Sequence, residues 1–482
     1  MQTVQENAKA VDAARRDDAK LKSHYLLYAS LVIFPIIIFL VILFVGEKLP
    51  SSVGVAAPSE NGNPTVPITF NLALMLSQSA VVIAVARVFG ILFARFGQPR
   101  VIGEMIAGLA LGPSFLKWAW PGAYDWIFPG GVARLNSLSQ IGIVLFIFLV
   151  GFELDLKNVR NNFRQILVVS HAGMALPMLG SGLLAFLLFH NYAPAGNSFS
   201  VFALFFACAM SVTAFPVLVR ILAERNLSNT SLGVTAIACA SVADVTAWAM
   251  LALAVALERG NRNVSTVLWH TIIGATIFLL LMFFAVRPML AYYWKTRTAL
   301  RFMPSHNELS VIVLIVLLSA LITEKINLHG IFGAFIAGVI MPRDEKLQAA
   351  VRMRFEDVLV VLLLPLFFAF TGLRTDIGLL ATERDWCFAG LIFFVAVTGK
   401  LCGSAVAARA TGFAWRDAGA LGVLMNSRGL IELVLLTIGL QDGIITPALF
   451  TMMVFMAVGT TIMTTPIFSQ LVRAPLKENK LS

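Results

Sequence analysis

Apolar stretches of about 17–25 residues, the length a helix needs to cross a bilayer, recur along most of the 482-residue chain. No other feature constrains the fold so strongly. Inside hydrocarbon every backbone N–H and C=O must be satisfied within the chain, which leaves helices or a closed barrel. A barrel would show short strands alternating in polarity, and these runs are continuously apolar. Hydrophobic residues make up 59% and charged residues 13%, against about 45–50% and 25% in soluble domains. The fold class is therefore an all-α polytopic membrane protein of about 13–14 transmembrane helices.

Fourteen segments are read: roughly 25–45, 69–93, 99–115, 137–153, 165–190, 199–222, 233–257, 267–286, 308–327, 329–341, 358–373, 386–410, 416–440 and 446–470. Segments 99–115 and 329–341 are short and glycine-rich, so they are tilted, broken or fused to a neighbour. The first run is too long for the apolar part of a secretion signal and reads as a retained extra helix. A Pro-, Gly-, Ser- and Asn-rich loop over 46–68 ties it to the main body.

The net charge of +10 invites a nucleic-acid reading, but the basic residues are dispersed over short loops. With fourteen crossings and a cytoplasmic N-terminus, about 25 Lys and Arg fall on the cytoplasmic side and about 8 on the other, as the positive-inside rule requires. Residues 1–24 and 471–482 are then cytoplasmic tails. Cys208, Cys239, Cys387 and Cys402 lack metal-ligand spacing and read as buried small hydrophobes.

The two halves echo each other. GEMIAGLALGPS (103–114) matches GIFGAFIAGVIMPR (330–343), and IVLFIFLVGFELDL (143–156) matches LLLPLFFAFTGLRTDI (362–377). Each pair lies seven segments apart, and an odd offset inverts the second copy. Such inverted repeats mark alternating-access transporters. The first repeat spans 69–257, the second 308–470, and 267–286 links them.

Charges within the apolar runs need partners, water or a task. Asp244 stands midway along segment seven with no basic residue within a turn or two on that helix. Desolvation penalises its ionised form, so this carboxylate is suited to hold either a proton or a cation, with Thr213 and Ser241 as candidate ligands beside it. Lys400 lies mid-helix in FVAVTGKLCGSAVAA; it either faces Asp244 or snorkels to an interface. Arg428 and Glu432 are four residues apart on one helical face, placed for a structural ion pair or for gating. Glu104, Arg87, Glu153 and Asp155 read as sitting near segment ends, and His171 as a satisfied polar group in a helix contact.

Segments six and thirteen carry matched interruptions. Pro216 removes a backbone donor and breaks the ladder near residue 212. Asn426, Ser427 and Gly429 stand at the corresponding place in segment thirteen. Discontinuous helices at equivalent positions of two repeats point to a midplane binding site.

Together SVTAFPVLVRILAE, ASVADVTAWAMLALAVAL, MNSRGLIELVLL, QPRVIGEMIAGLALGPS, FLVGFELDL and FFAFTGLRTDI resemble the monovalent cation:proton antiporter superfamily. The closest likeness is to its second family, with the Kef-type systems and plant cation/proton exchangers. The resemblance covers roughly 69–470. It implies two inverted six-helix repeats with discontinuous crossed helices, a mobile core beside a dimerisation domain, and a homodimer working in an elevator-like motion. It also implies exchange of K⁺ or Na⁺ for H⁺. Asp244 matches the family's ion-carrying aspartate, Thr213 lies in the unwound crossed helix, and Lys400 matches a lysine that pairs with that aspartate in several members. Arg428 matches a basic residue of the second crossed helix.

The residue before the aspartate is Ala243, where relatives commonly carry Asp, Asn or Gln. One carboxylate implies one cation per proton and electroneutral exchange. Kef-type relatives append a regulatory nucleotide-binding domain; with the last segment ending at 470, no regulation through one is expected. The competing classes are an inverted-repeat symporter for a small organic anion, which would use Lys400 and Arg428, and a channel or sensor without proton coupling. No cofactor and no enzymatic motif is expected. The expected location is a bacterial inner membrane.

Overall fold

Apolar runs with few charges favour helix because each backbone group then finds its partner within its own segment. The computed structural model describes residues 25–49, 71–129, 131–153, 163–225, 227, 230–259, 273–298, 306–326, 328, 330–342 and 344–472, and every regular element among them is helical. Most of the two tails and of the 46–68 loop, together with Asp155, Lys157, Arg160, Arg301 and Arg343, lies outside the described residues.

In chain order the helices are α1 (Tyr25–Gly46), α2 (Leu72–Arg95), α3 (Arg100–Leu111), the short α4 (Pro121–Ile127), α5 (Ala133–Glu153) and α6 (Phe163–Tyr192). There follow α7 (Phe199–Ser211), α8 (Phe215–Glu224), α9 (Ser231–Arg259), α10 (Ile273–Lys295), α11 (His306–Lys325) and α12 (Gly330–Ile340). The last are α13 (Glu345–Val358, continuing through a π turn into Leu364–Leu373), α14 (Glu383–Ala410), α15 (Trp415–Met425), α16 (Leu430–Gln441) and α17 (Pro447–Leu471). Among the described residues nine helices are long and apolar enough to cross a bilayer, so the chain is a multi-pass integral membrane protein. The segments that fall short are the glycine-rich α3 and α12, the 21-residue α5, and the two that are interrupted, α7/α8 and α15/α16. At 11 residues, α12 extends only about 16 Å. Protein rather than lipid must therefore surround its ends.

Two groups of helices form. α2, α3, α5, α11, α12 and α13 pack on one another, while α6–α9 and α14–α17 make the second group, with α1 laid against α6 and α7. The packing obeys an approximate two-fold relation. α2 lies on α3 as α11 lies on α12; α3 lies on α13 as α12 lies on α5; α6 and α14 meet each other across the axis.

The repeat seen in the sequence reappears atom for atom at four glycines. A Cβ on Gly108 would collide with the Ala369 carbonyl, and one on Gly338 with the Phe148 carbonyl. A Cβ on Gly151 would strike Phe335 O, and one on Gly372 would strike Met105 O. Aligning IAG of 106–108 with IAG of 336–338 makes these contacts two equivalent pairs. Without a hydrophobic drive between helices in lipid, close backbone approach at small residues is what holds them. Gly338→Leu is accordingly expected to prevent assembly, and Gly108→Leu to do so equally. The check is the monodisperse fraction recovered in detergent; a normal yield for either would contradict the close approach.

Residues placed on one side by alternate crossings do meet. At one end Asn197 Nδ2 donates to Gly443 O at 2.8 Å, Thr446 Oγ1 to Tyr192 O at 2.9 Å, and Ser114 Oγ to Thr375 O at 2.6 Å. At the other, Gln165 Nε2 donates to Thr411 O at 3.2 Å and Gln98 Nε2 to Ile462 O at 3.2 Å.

Several polar residues lie elsewhere than the sequence suggests. Cys208 and Cys239 are buried, but Cys387 and Cys402 lie on the exposed face of α14, because α14 turns one side away from the bundle. Glu104 is buried at 6% exposure. Arg87 Nη2 donates to Val360 O at 2.8 Å, inside the π turn Leu359–Leu363. A π turn interrupts the regular ladder, and Arg87 supplies a donor there, joining α2 to α13.

Candidate ion site at the crossed helix breaks

The site is built from two helices that stop and restart. α7 ends at Ser211, residues 212–214 are extended, and α8 begins at Phe215 with Pro216 as its second residue. Proline is tolerated in a first turn, where its missing N–H has no helical partner. α15 ends at Met425 and α16 begins at Leu430, with Asn426 and Gly429 as the flanking caps. The two extended segments cross, and Ala214 N donates to Ser427 O at 2.9 Å. A Cβ on Gly429 would come within 2.8 Å of Val217 Cγ2, so glycine permits this close crossing.

Breaking a helix in hydrocarbon leaves carbonyls without donors. Here basic side chains supply them. Arg428 Nη1 donates to Ala209 O at 2.8 Å, Arg428 Nη2 donates to Met210 O, and Lys400 Nζ donates to Ser211 O. Two cations thus cap the negative end of α7, where the helix dipole also favours them. The matching end of α15 receives a hydroxyl instead: Thr213 Oγ1 donates to Met425 O at 3.1 Å. Arg428 Nη1 lies 3.3 Å from Glu432 Oε1 in a fully buried pair. The Thr461 hydroxyl accepts from Arg428 N at 3.2 Å and donates to Arg428 O at 2.7 Å, bracing the second break from α17.

Asp244 sits on α9 at 1% exposure, and among the described residues neither of its carboxylate oxygens has a hydrogen-bond donor. Lys400 is close enough to act on it electrostatically. Lys400 also feels Arg428 and Glu432, so four formal charges, two of each sign, share one buried region. The direct hydrogen bond of Lys400 goes to Ser211 O and leaves the aspartate oxygens open. Further acceptors without donors lie at the second break: Asn426 Oδ1, Ser427 Oγ and Glu432 Oε2. A buried oxygen without a donor costs about 1–3 kcal/mol, and more when charged. Several together make a place whose oxygens suit a cation or a proton. Ser241 lies one turn before Asp244 and donates to Ile237 O at 2.8 Å. The Thr213 and Ser241 hydroxyls spend their protons on carbonyls and keep lone pairs for a cation. A narrow opening between the two helix groups reaches Arg428 and Gly429, walled by Pro99, Ile102, Met105 and Val217.

Sequence reasoning missed the backbone acceptors, because a carbonyl carries no residue type. It also missed Thr461, whose only sequence signal is its place in a threonine-rich run, GTTIMTTP. His171 makes the expected helix contact, between Tyr28 and Thr246.

Comparison with known proteins agrees with this architecture. The family described as "Sodium/hydrogen exchanger, transmembrane" matches residues 80–474. The Na⁺/H⁺ antiporter NhaS4 of Synechocystis is 41% identical over 409 residues, covering 84% of this chain and 99% of that protein. The chain spans about half the length of two other relatives. Cation/H⁺ antiporter 20 of Arabidopsis thaliana is 37% identical, with 83% of this chain and 48% of that protein covered. The K⁺/H⁺ antiporter 1 of Saccharomyces cerevisiae is 36% identical, with 82% and 46% covered. In fold, the solved sodium proton antiporter MjNhaP1 of Methanocaldococcus jannaschii superposes with a TM-score of 0.50 at 14% identity, over 83% of this chain and 96% of that one. These matches define a family of antiporters, not a class of enzymes, and the chain belongs to the sodium/hydrogen exchanger transmembrane family.

Proposed function

We propose that the chain exchanges K⁺ or Na⁺ for H⁺ by alternating access, with Asp244 as the shared ion and proton site. The observation that carries this reading is the buried Asp244 carboxylate, whose two oxygens accept no hydrogen bond beside two crossed breaks. A proton and a metal ion compete for that one negative charge. Only a neutralised carboxylate passes the hydrophobic barrier, since moving a bare charge through hydrocarbon is costly. Facing the acidic side, Asp244 takes a proton; facing the other, it loses the proton and takes the cation. Lys400 stabilises the empty carboxylate and yields to the incoming ion, while Thr213 and Ser241 contribute oxygens. Arg428 and Glu432 hold the breaks in register.

The group α6–α9 with α14–α17 acts as the moving core and α2, α3, α5 and α11–α13 as the stationary scaffold. The scaffold joins a second copy in a homodimer. Repeats 69–257 and 308–470, linked through 267–286, supply each group with equal shares. Both chain termini face the cytoplasm of a bacterial plasma membrane. The names of the relatives, Na⁺/H⁺ antiporter and K⁺/H⁺ antiporter, support both ions.

With Ala243 beside it, the single aspartate exchanges one cation per proton. Purified protein in liposomes with an internal pH dye is expected to move protons when Na⁺, K⁺, Rb⁺ or Li⁺ is added in turn, with a clear preference among them. Clamping the membrane potential is expected to leave the initial rate unchanged. A rate that follows voltage would refute the one-for-one stoichiometry, and proton movement indifferent to all four cations would refute the exchange itself.

A further inference from the structure

Helix α1 lies ahead of the residues that the family description matches, 80–474, yet it is bound tightly to the core group. One stripe, Val32, Pro35, Phe39, Ile42 and Gly46, is buried, and the remaining faces are open. At one end a Cβ on Gly46 would collide with the Phe199 ring, and the Glu47 carboxylate accepts from both Ser200 N and Ser200 Oγ at the first turn of α7. At the other end Tyr28 Oη lies 2.8 Å from His171 Nδ1 on α6. The opposite ring nitrogen, Nε2, lies 3.1 Å from Thr246 Oγ1 on α9, two residues beyond Asp244.

The hydrogens in this chain can be assigned. Thr246 Oγ1 donates its one proton to Val242 O at 3.0 Å. With its proton so placed it accepts from His171, and Nε2 carries the hydrogen. A neutral imidazole protonated at Nε2 accepts at Nδ1, so Tyr28 is the donor there. The bonds run one way, Tyr28 to His171 to Thr246 to Val242 O, and the last two residues bracket Asp244. Threonine back-bonding to the fourth preceding carbonyl bends a helix slightly. The donor from His171 fixes the orientation of that hydroxyl.

We propose that α1 is a positioning element for the ion site, holding the Asp244 turn of α9 in its cation-receiving geometry through the directed chain Tyr28–His171–Thr246–Val242, with His171 as a neutral positioning residue and not a proton carrier. This rests on the reading of Asp244 given above. Packed against the core helices α6 and α7, α1 travels with the core, and these contacts persist in both states of the cycle.

The test uses the full chain in liposomes. Tyr28→Phe keeps the ring that packs edge-on against His171 at 5.9 Å and removes only the hydroxyl. It is expected to raise the cation KM about five- to tenfold, the worth of one hydrogen bond, with the maximal rate within about twofold. Thr246→Val and His171→Leu are expected to act alike. His171→Gln offers an amide donor and a carbonyl acceptor without a titrating ring, and is expected to restore the wild-type KM and pH profile. An unchanged KM in Tyr28→Phe and Thr246→Val would overturn the proposal, as would a His171→Gln variant as impaired as His171→Leu. Nitrogen NMR of labelled histidine, assigned by difference from His171→Gln, reads the tautomer without transport. An Nε2–H signal that is lost in Tyr28→Phe supports the chain even should the liposomes show no exchange, which would refute the ion-site reading alone. An Nδ1–H signal would refute the directed chain itself.

Discussion

Asp244→Asn is expected to reduce cation-driven proton movement to that of empty liposomes while leaving the melting temperature equal to or above that of the parent. The two halves of this result have one cause. The carboxylate is buried without a hydrogen-bond donor, so its ionised form is held at a cost in free energy. Asparagine has nearly the same shape but neither binds a proton at neutral pH nor offers a full negative charge. The substitution removes the exchangeable charge and with it the burden of burying it. Stability gained together with activity lost is the usual mark of a strained functional group. Asp244→Glu keeps the charge but displaces it by one methylene, and is expected to retain slow exchange with weakened cation binding. Proton flux that still answers to added cation in Asp244→Asn would remove this residue from the mechanism.

Arg428→Met is expected to be the most destabilising single change at the site. It strips the donors from Ala209 O and Met210 O and leaves Glu432, at 0% exposure, without its ionic partner. Breaking a buried ion pair from one side costs about 3–5 kcal/mol, because the survivor stays buried and charged. The orphaned carbonyls add about 1–3 kcal/mol. A sharp fall in thermal midpoint and in detergent-stable yield should follow. Glu432→Gln should cost less, since an amide oxygen still accepts from Arg428 and the guanidinium keeps its bonds to Ala209 O and Met210 O. The double variant Arg428→Met with Glu432→Leu should recover the ion-pair part and leave the capping part. That difference measures how much of the arginine's role is to close α7 rather than to hold Glu432. A thermal midpoint for Arg428→Met equal to that of the parent would show that the helix end finds other donors.

The assembly of this protein was readable from the chain to differing depths. Segment number and order were plain because hydropathy over 20 residues is a one-dimensional signal, and each of the fourteen stretches overlaps a helical element among the described residues. The inverted repeat was readable from two short echoes, and Gly108, Gly151, Gly338 and Gly372 show why those echoes persist: each must admit a facing backbone. The break near residue 212 was readable because proline has a local, sequence-determined effect. Asp244 stood out because a charge in an apolar run has no bland explanation close at hand.

Direct partners were another matter. Lys400 looked like a mate for Asp244, since charge complementarity is all that a sequence offers. Lys400 does act on that carboxylate, but the fold gives its hydrogen bond to Ser211 O, because a helix that stops in hydrocarbon demands donors for its last carbonyls, and backbone atoms leave no trace in residue type. The role of α1 was equally hidden, since the approach of Tyr28, His171 and Thr246 depends on three helices whose registers no local pattern fixes. The sequence by itself determined the number of crossings, the inversion and the buried acid, all properties of spacing and polarity along one dimension. Only the tertiary structure decided which oxygens are satisfied and which stay open, because hydrogen bonding at a helix end depends on what other segments bring to it.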